Sequence, residues 1–385
     1  MIYFFNSDND LALASGSVIY TPSQSIEKMM EDLSPLLAWI ANEGDSVYVP
    51  NICVAQATQQ LRLFPKISCI STLNNKPDML CPWGWSSSLV RKIHRLAPDF
   101  PLLSLETTEK LKMLSSRVTY VSLLATLSKI PNCIGESCVF DTFEGIEKYL
   151  NEHTVIMMKS PWSGSGNGVR KADKFNFPDH RNWVKNVLQK QHVVLAEPFY
   201  HKVVDFAMEF YVDIKGKVSF AGYSLFRTDT NGRYKENWLT SDNRIEQHLS
   251  KYVSTEVLEQ VKMTIVDCLK DKYTDVYAGY FGVDMMICDE AGKYYLHPCV
   301  ELNLRMNMGI LSRRLFDNYV CPNSEGSYQI EYYATPQLAK DEIHKLQQEF
   351  PLIIENNRVR LGYLPLTPLL ETTQYHAFMK IKSCD

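Results

Sequence analysis

Apolar and polar positions alternate along this chain with two distinct periods, and the periods change many times. Ile2-Tyr3-Phe4-Phe5 and Val47-Tyr48-Val49 read as short strands. The stretch between them is helical, restarts at Ser34-Pro35 with proline at a first helical position, and ends at Gly44. A helix is expected from about Ser86, packed by Trp83 and Trp85. Leu111, Leu114, Val118 and Val121 recur at helical spacing, with Ser115 or Ser116 placed to cap a second segment at Arg117. The run Val155 to Met158 predicts a strand ending in Lys159, and a second apolar strand ends at Glu197. Beyond it, Phe206, Met208, Phe210 and Val212 alternate with Asp205, Glu209 and Asp213, the hallmark of a half-buried strand with solvated acids. That strand turns at Lys215-Gly216-Lys217 and returns to Arg227; Asn231-Gly232 marks another tight turn. Arg227, Arg233 and Lys235 gather there, either as a mobile cationic flap over phosphates or as a solvated hairpin tip. Leu258, Val261, Ile265 and Leu269 predict the inward face of a long amphipathic helix. Asp284 lies on the first strand of a hairpin folded about Ala291, whose second strand ends in Val300-Glu301-Leu302-Asn303-Leu304-Arg305. A helix starts at Thr335-Pro336, and Val359 to Ile381 read as strands broken by prolines. Strands and helices interleave throughout, which predicts an α/β chain with α+β lobes.

Composition narrows the function classes. The chain has 385 residues, 45% hydrophobic and 22% charged, with a net charge of −4. Those are values of an ordinary globular protein with two or three lobes. No basic run is present, so neither nucleic acid nor an anionic membrane is an expected partner. No apolar stretch reaches transmembrane length and MIYFFNSD lacks the pattern of a signal peptide, so a cytoplasmic location is expected. The ten cysteines show no CxxC and are expected to be free buried thiols. The nine histidines lack HxH or HExxH spacing, and no Gly-x-Ser-x-Gly occurs, which leaves zinc and serine hydrolysis without support. The sequence does not read out an oligomeric state.

Candidate chemistry concentrates in four places. Glu301, Asn303 and Arg305 share one strand face. Carboxylate and amide oxygens suit Mg²⁺, and a guanidinium two residues on suits a phosphoryl group in transfer; the bland reading is a surface Glu–Arg pair. Lys159 precedes Pro161-Trp162-Ser163-Gly164-Ser165-Gly166-Asn167-Gly168, a loop whose amides could cradle phosphates or simply close a hairpin. It is neither a Walker A loop nor a dinucleotide fingerprint. After Glu197, the crossover could present backbone groups to an adenine edge and Asp205 to ribose hydroxyls, or simply carry solvated acids on a half-buried strand. The loop Asn6 to Asp10 follows the first strand, at the end where open α/β sheets hold ligands; it either helps bind an acceptor or is turn chemistry.

In this order and spacing, these elements resemble the ATP-grasp superfamily of ATP-dependent carboxylate–amine or carboxylate–thiol ligases over about residues 105 to 310. The resemblance implies an N-terminal α/β unit (1–104), a lid subdomain (105–194), a core with the metal site (195–315) and a C-terminal extension (316–385) of open role. Nucleotide would lie between the two lobes of the ATP-grasp fold. Carried over residue by residue, Arg117 and Lys159 are the basic residues that neutralise phosphate, and Lys159 also counts as catalytic. Ser163, Gly164, Ser165 and Gly166 form the lid; Glu197, Pro198 and Tyr200 the adenine hinge; and Asp205 the ribose acid. Asp284, Glu301 and Asn303 are the Mg²⁺ ligands, with Mn²⁺ as a substitute ion, and Arg305 is the transition-state arginine. The implied reaction activates a carboxylate with ATP as an acyl phosphate and joins it to an amine or similar nucleophile. The alternatives are a small-molecule kinase of the same fold or an ATP sensor. Two departures stand out. The first basic residue is Arg rather than the commoner Lys, and His297-Pro298-Cys299 lengthens the strand before Glu301. Symmetric pairing would set Asp284 against Pro298, which has no N–H for a ladder, so a bulge is expected there.

Overall fold

A computed structural model describes residues 1–17, 19–73, 79–164, 168–228 and 234–384. The N-terminal unit comprises β1 (Ile2–Phe4), α1 (Asn9–Ser15), α2 (Gln24–Leu33), β2 (Ser46–Tyr48), α3 (Ile52–Thr58), β3 (Ser68–Ile70), β4 (Leu80–Pro82) and α4 (Ser87–Leu96). Its four strands pair in parallel in the order β3-β2-β1-β4. The restart at Ser34-Pro35 is a tight 3₁₀ segment, Ser34–Ile40, whose Leu36, Leu37, Ala38 and Trp39 are wholly buried. Trp39 donates its indole N–H to the Leu366 carbonyl at 2.8 Å, tying this unit to the far end of the chain.

α5 (Leu105–Leu114) and α6 (Arg117–Leu127) follow. Ser116 caps the second helix by accepting the Val118 N–H at 3.3 Å. Because the helix restarts at Arg117, its phase is reset. Val118 faces outward, and Tyr120, Leu123, Leu124 and Leu127 are the buried positions. The next sheet contains β5 (Cys138–Phe140), β6 (Val155–Lys159), β7 (Val169–Asp173) and β8 (Val194–Pro198), ordered β5-β8-β6-β7 and antiparallel. It is covered by α7 (Phe143–Glu152) and α8 (Arg181–Gln191).

The remaining strands form one antiparallel sheet of nine, ordered β13-β12-β9-β10-β11-β14-β17-β16-β15. They are β9 (Lys202–Val212), β10 (Val218–Thr228), β11 (Tyr234–Leu239), β12 (Gly279–Glu290), β13 (Lys293–Asn303), β14 (Ser324–Tyr332), β15 (Ile353–Glu355), β16 (Arg358–Pro365) and β17 (Tyr375–Ser383). Its helices are α9 (Asp242–Leu249), α10 (Thr255–Leu269), α11 (Met308–Tyr319) and α12 (Pro336–Glu349). The C-terminal extension 316–385, whose role is open in the sequence, therefore adds four strands to this sheet.

The two faces of the sheet differ. Phe206, Met208, Phe210, Phe281, Val283 and Met285 pack on α6 and α10, where Leu258, Val261, Ile265 and Leu269 point inward. The opposite face is polar over β13, β12, β9 and β10 and turns apolar at β14 and β17, where α11 and the 3₁₀ segment cover it. In the β12–β13 hairpin, Met286 opposes His297 and Asp284 opposes Glu301. Met285 alone thus faces Pro298, Cys299 and Val300, the bulge that proline requires. All ten cysteines are free, but only Cys288 and Cys299 are fully buried, which corrects the expectation of buried thiols throughout. Among the described residues, no helix is long and apolar enough to cross a membrane.

Candidate functional site

The bulge sets the register of the acids. It makes Asp284 and Glu301 direct cross-strand partners, which share a sheet face. Asn303 donates its amide to Asp284 Oδ2 at 2.9 Å and accepts from Arg305 Nη2 at 2.9 Å, so one amide bridges acid and guanidinium. Burial, and next the charge of Glu301, pushes the Asp284 carboxyl up to about 7. Arg117, at the start of α6, is buried and reaches three groups at 2.8 Å: Glu301 Oε1, the Ser160 carbonyl and Ser163 Oγ. Burial opposes its charge, yet the adjacent Glu301 keeps its pKa above the ordinary value. Arg117, Ser163, Asp284, Glu301, Asn303 and Arg305 therefore converge on one place.

The adenine-side candidates form a neighbouring group. Lys159 Nζ lies 2.5 Å from Glu197 Oε2 and 3.1 Å from the Val300 carbonyl it donates to; Tyr120 donates its hydroxyl to Glu197 Oε1 at 2.8 Å. Pro198 ends β8, and Tyr200 meets the buried His297 ring edge-on at 5.3 Å. Neither nitrogen of His297 has a partner among the described residues, and burial pushes its pKa down to about 4. Asp205 is paired with Lys202 and accepts the Thr228 hydroxyl at 3.2 Å, further along β9. Gly164 abuts α1, where a Cβ would come within 3.4 Å of Leu11. Ser165 and Gly166 of the expected lid lie outside the described residues, as do Arg233 and the Asn231-Gly232 turn.

Sequence reasoning missed several residues here. Asp10 takes Arg305 bidentately, receiving Nε at 2.8 Å and Nη2 at 2.6 Å. Burial opposes the Arg305 charge, but Asp10 and then Glu301 raise its pKa above the ordinary value. The Asn6 to Asp10 loop carried this signal only as a ligand-side loop; its partner is 295 residues away. Glu209, expected as a solvated acid, is buried at 1% exposure. It accepts Asn307 Nδ2 at 2.8 Å and Ser224 Oγ at 3.0 Å. Burial chiefly pushes its carboxyl up to about 8. Gly282 and Gly309 make room for it: a Cβ on either would stand 2.5 Å or 2.0 Å from a Glu209 oxygen.

These groups open on a cleft of about 570 Å³ between the nine-stranded sheet, α1, α2 and the lid loop. One end holds Arg117, Asp284, Glu301, Asn303 and Arg305; the other holds apolar side chains from α2, β10 and β14. Among the described residues, no group of three or more His, Cys, Asp or Glu is placed to hold a metal ion by itself. The donor set at the polar end is thus two carboxylates and one amide, which fits a hard cation that retains water or phosphate oxygens and does not suit zinc.

No protein-family model matches the sequence, and no curated protein does. Solved structures do match. An ADP complex of N5-carboxyaminoimidazole ribonucleotide synthetase superposes with a TM-score of 0.52 at 10% identity, covering 100% of this chain and 92% of that one. N5-carboxyaminoimidazole synthetase from Staphylococcus aureus gives 0.50 at 11% identity, over 100% and 93% of the two chains. Both neighbours are ATP-grasp enzymes, and the likeness runs the full length of this chain. The protein has the ATP-grasp fold.

Proposed function

We propose that the protein is an ATP-dependent ligase that activates a carboxylate and joins it to an amine or similar nucleophile. The observation that carries this reading is the convergence of Asp284, Glu301, Asn303, Arg117 and Arg305 at one end of a cleft whose other end is open to a second molecule. A sensor needs the nucleotide end only, and the extra room speaks for a partner substrate. The domain division of the sequence reading serves it: an N-terminal unit (1–104), a lid (105–194), a core (195–315) and an extension (316–385).

Asp284, Glu301 and Asn303 would hold Mg²⁺, or Mn²⁺ in its place, which supplies charge neutralisation between terminal phosphates. Lys159 and Arg117 add positive charge beside them, held ready by Glu197 and Glu301. Glu197, Pro198 and Tyr200 take the adenine, Asp205 the ribose, and Ser163 to Gly166 the phosphate cover. In the first step a carboxylate oxygen bonds the γ-phosphorus of ATP while the bond to the bridging oxygen breaks, releasing ADP. Arg305 is aimed at the transferred group by the Asp10 fork. In the second step the amine nitrogen bonds the acyl carbon, the bond to phosphate breaks, and the amine proton leaves with the phosphate. Catalysis of this kind rests on position and charge rather than on a nucleophilic side chain.

Phosphate release from ATP, measured over a panel of carboxylic acids with amines, tests this directly. Release should need both partners and Mg²⁺. Arg305→Ala should lower turnover by about 10²- to 10³-fold while ATP affinity changes little. Phosphorylated product without a joined product would replace the ligase with a kinase, and tight ATP binding without release would leave a sensor.

A further inference from the structure

The wall of the cleft away from the phosphates has a definite chemistry. Asn237, on β11, stands opposite Phe226 of β10 and Tyr328 of β14, so it lies on the same sheet face as Ser224 and Glu209. Its side chain is 1% exposed and forms part of the cleft wall, yet among the described residues neither its Nδ2 nor its Oδ1 has a hydrogen-bond partner. An unpaired amide at a cleft wall is a donor and an acceptor available to a bound molecule. Across the cleft, Ser7 Oγ is also unpartnered. The surfaces around them are apolar, with Ile26, Met29 and Leu33 of α2 on one side and Phe226 and Ile330 on the other.

Charge decides the rest. The described wall carries five carboxylates (Asp8, Asp10, Glu209, Asp284 and Glu301) against two guanidiniums. Both guanidiniums are already engaged at the nucleotide end, Arg117 by Glu301 and Arg305 by Asp10. No lysine or further arginine of the described wall remains to meet an anionic acceptor, and the carboxylates on that wall disfavour one.

We propose that the acceptor is an unphosphorylated, non-anionic amine with an apolar body and an amide-like polar group, seated on the β10–β11–β14 face with Asn237 reading that group. This rests on the ligase reading but is tested apart from it. A carboxamide presents both a donor and an acceptor, the complement of the free amide of Asn237. The apolar body lies between α2 and the sheet. The cleft falls in the usual range of small-molecule sites, roughly 300–1,000 Å³.

The experiment is calorimetry on the full chain, with and without Mg²⁺ and ADP, using L-phenylalaninamide, phenethylamine, L-glutamate and O-phospho-L-serine as probes. L-Phenylalaninamide should bind saturably and at least about tenfold more tightly than the two anionic probes. Asn237→Leu should weaken it about tenfold, leave phenethylamine nearly unaffected, and keep or raise the melting temperature, since an unpaired amide is removed. Tighter binding of either anionic probe, no binding of any amine, or equal affinity for L-phenylalaninamide in a folded Asn237→Leu variant overturns the proposal. The ranking of probes on the unaltered protein decides the matter even where the variant fails to fold. Phosphate release measured in parallel reports on the ligase reading alone. Release driven by O-phospho-L-serine keeps the ligase and removes this acceptor, whereas amide binding with no release under any carboxylate does the reverse.

Discussion

Glu209 is buried on the polar face of a β-sheet, held by one amide and one hydroxyl and given space by two glycines. Its carboxyl is pushed up to about 8, from an ordinary 4.5, chiefly by burial. A raised carboxyl pKa means that the folded state holds a proton the unfolded chain has already released. The stability that Glu209 contributes is therefore fully present below about pH 4.5 and is lost as pH rises toward 8. In the metal-free protein, the melting temperature of Glu209→Gln relative to the unaltered chain should climb between about pH 5 and 8 and level off above. A difference that stays constant over that range would show that the carboxyl ionises normally. The alternation of Phe206 to Val212 gave the face on which Glu209 lies, but not what covers that face. The cover comes from α11 and its preceding Asn307, about a hundred residues further on, so the solvated reading failed for want of a long-range contact. The Asp10–Arg305 fork was hidden for the same reason.

Helix and strand boundaries were much more legible, because their causes are local. Ser86, Ser104, Ser116 and Thr335 each cap the helix that follows by accepting a backbone N–H. The helical spacing of Leu258 to Leu269 and the turn at Gly216, with φ at +79°, were likewise readable. Ser116 has a larger part than its cap bond alone, since it fixes where α6 begins and so where Arg117 is presented. An arginine at a helix N-terminus is opposed by the helix dipole, and Glu301 with the Ser160 carbonyl compensates. Ser116→Ala should cost about 1 kcal/mol of stability in denaturant unfolding. No change in the transition midpoint would mean that packing of Tyr120 and Leu124, rather than the cap, sets the helix start. The bulge before Glu301 was readable from Pro298, because a proline without an N–H cannot continue the ladder. The four C-terminal strands were not placed by the sequence: β14 pairs with β11 across more than eighty residues, and nothing in either strand specifies that partner.

At the scale of the whole molecule, one sheet face does two jobs. Over β13, β12, β9 and β10 it carries the acids and amides of the nucleotide end; past β11 it becomes the apolar core shared with α11 and the N-terminal 3₁₀ segment. The cleft straddles that change, which is why a single cavity offers charge at one end and apolar walls at the other. The N-terminal unit closes it through Asp10 and the C-terminal segment anchors that unit through Leu366 and Trp39. The account depends on the oxygens of Asp284, Glu301 and Asn303 gripping a cation that grips triphosphate. Calorimetry with a non-hydrolysable ATP analogue, with and without Mg²⁺, on the unaltered protein and on Glu301→Gln tests this most directly. The account predicts Mg²⁺-dependent binding that falls by about ten- to a hundredfold in the variant. Absence of nucleotide binding in the presence of Mg²⁺, or equal binding by both proteins, would contradict it.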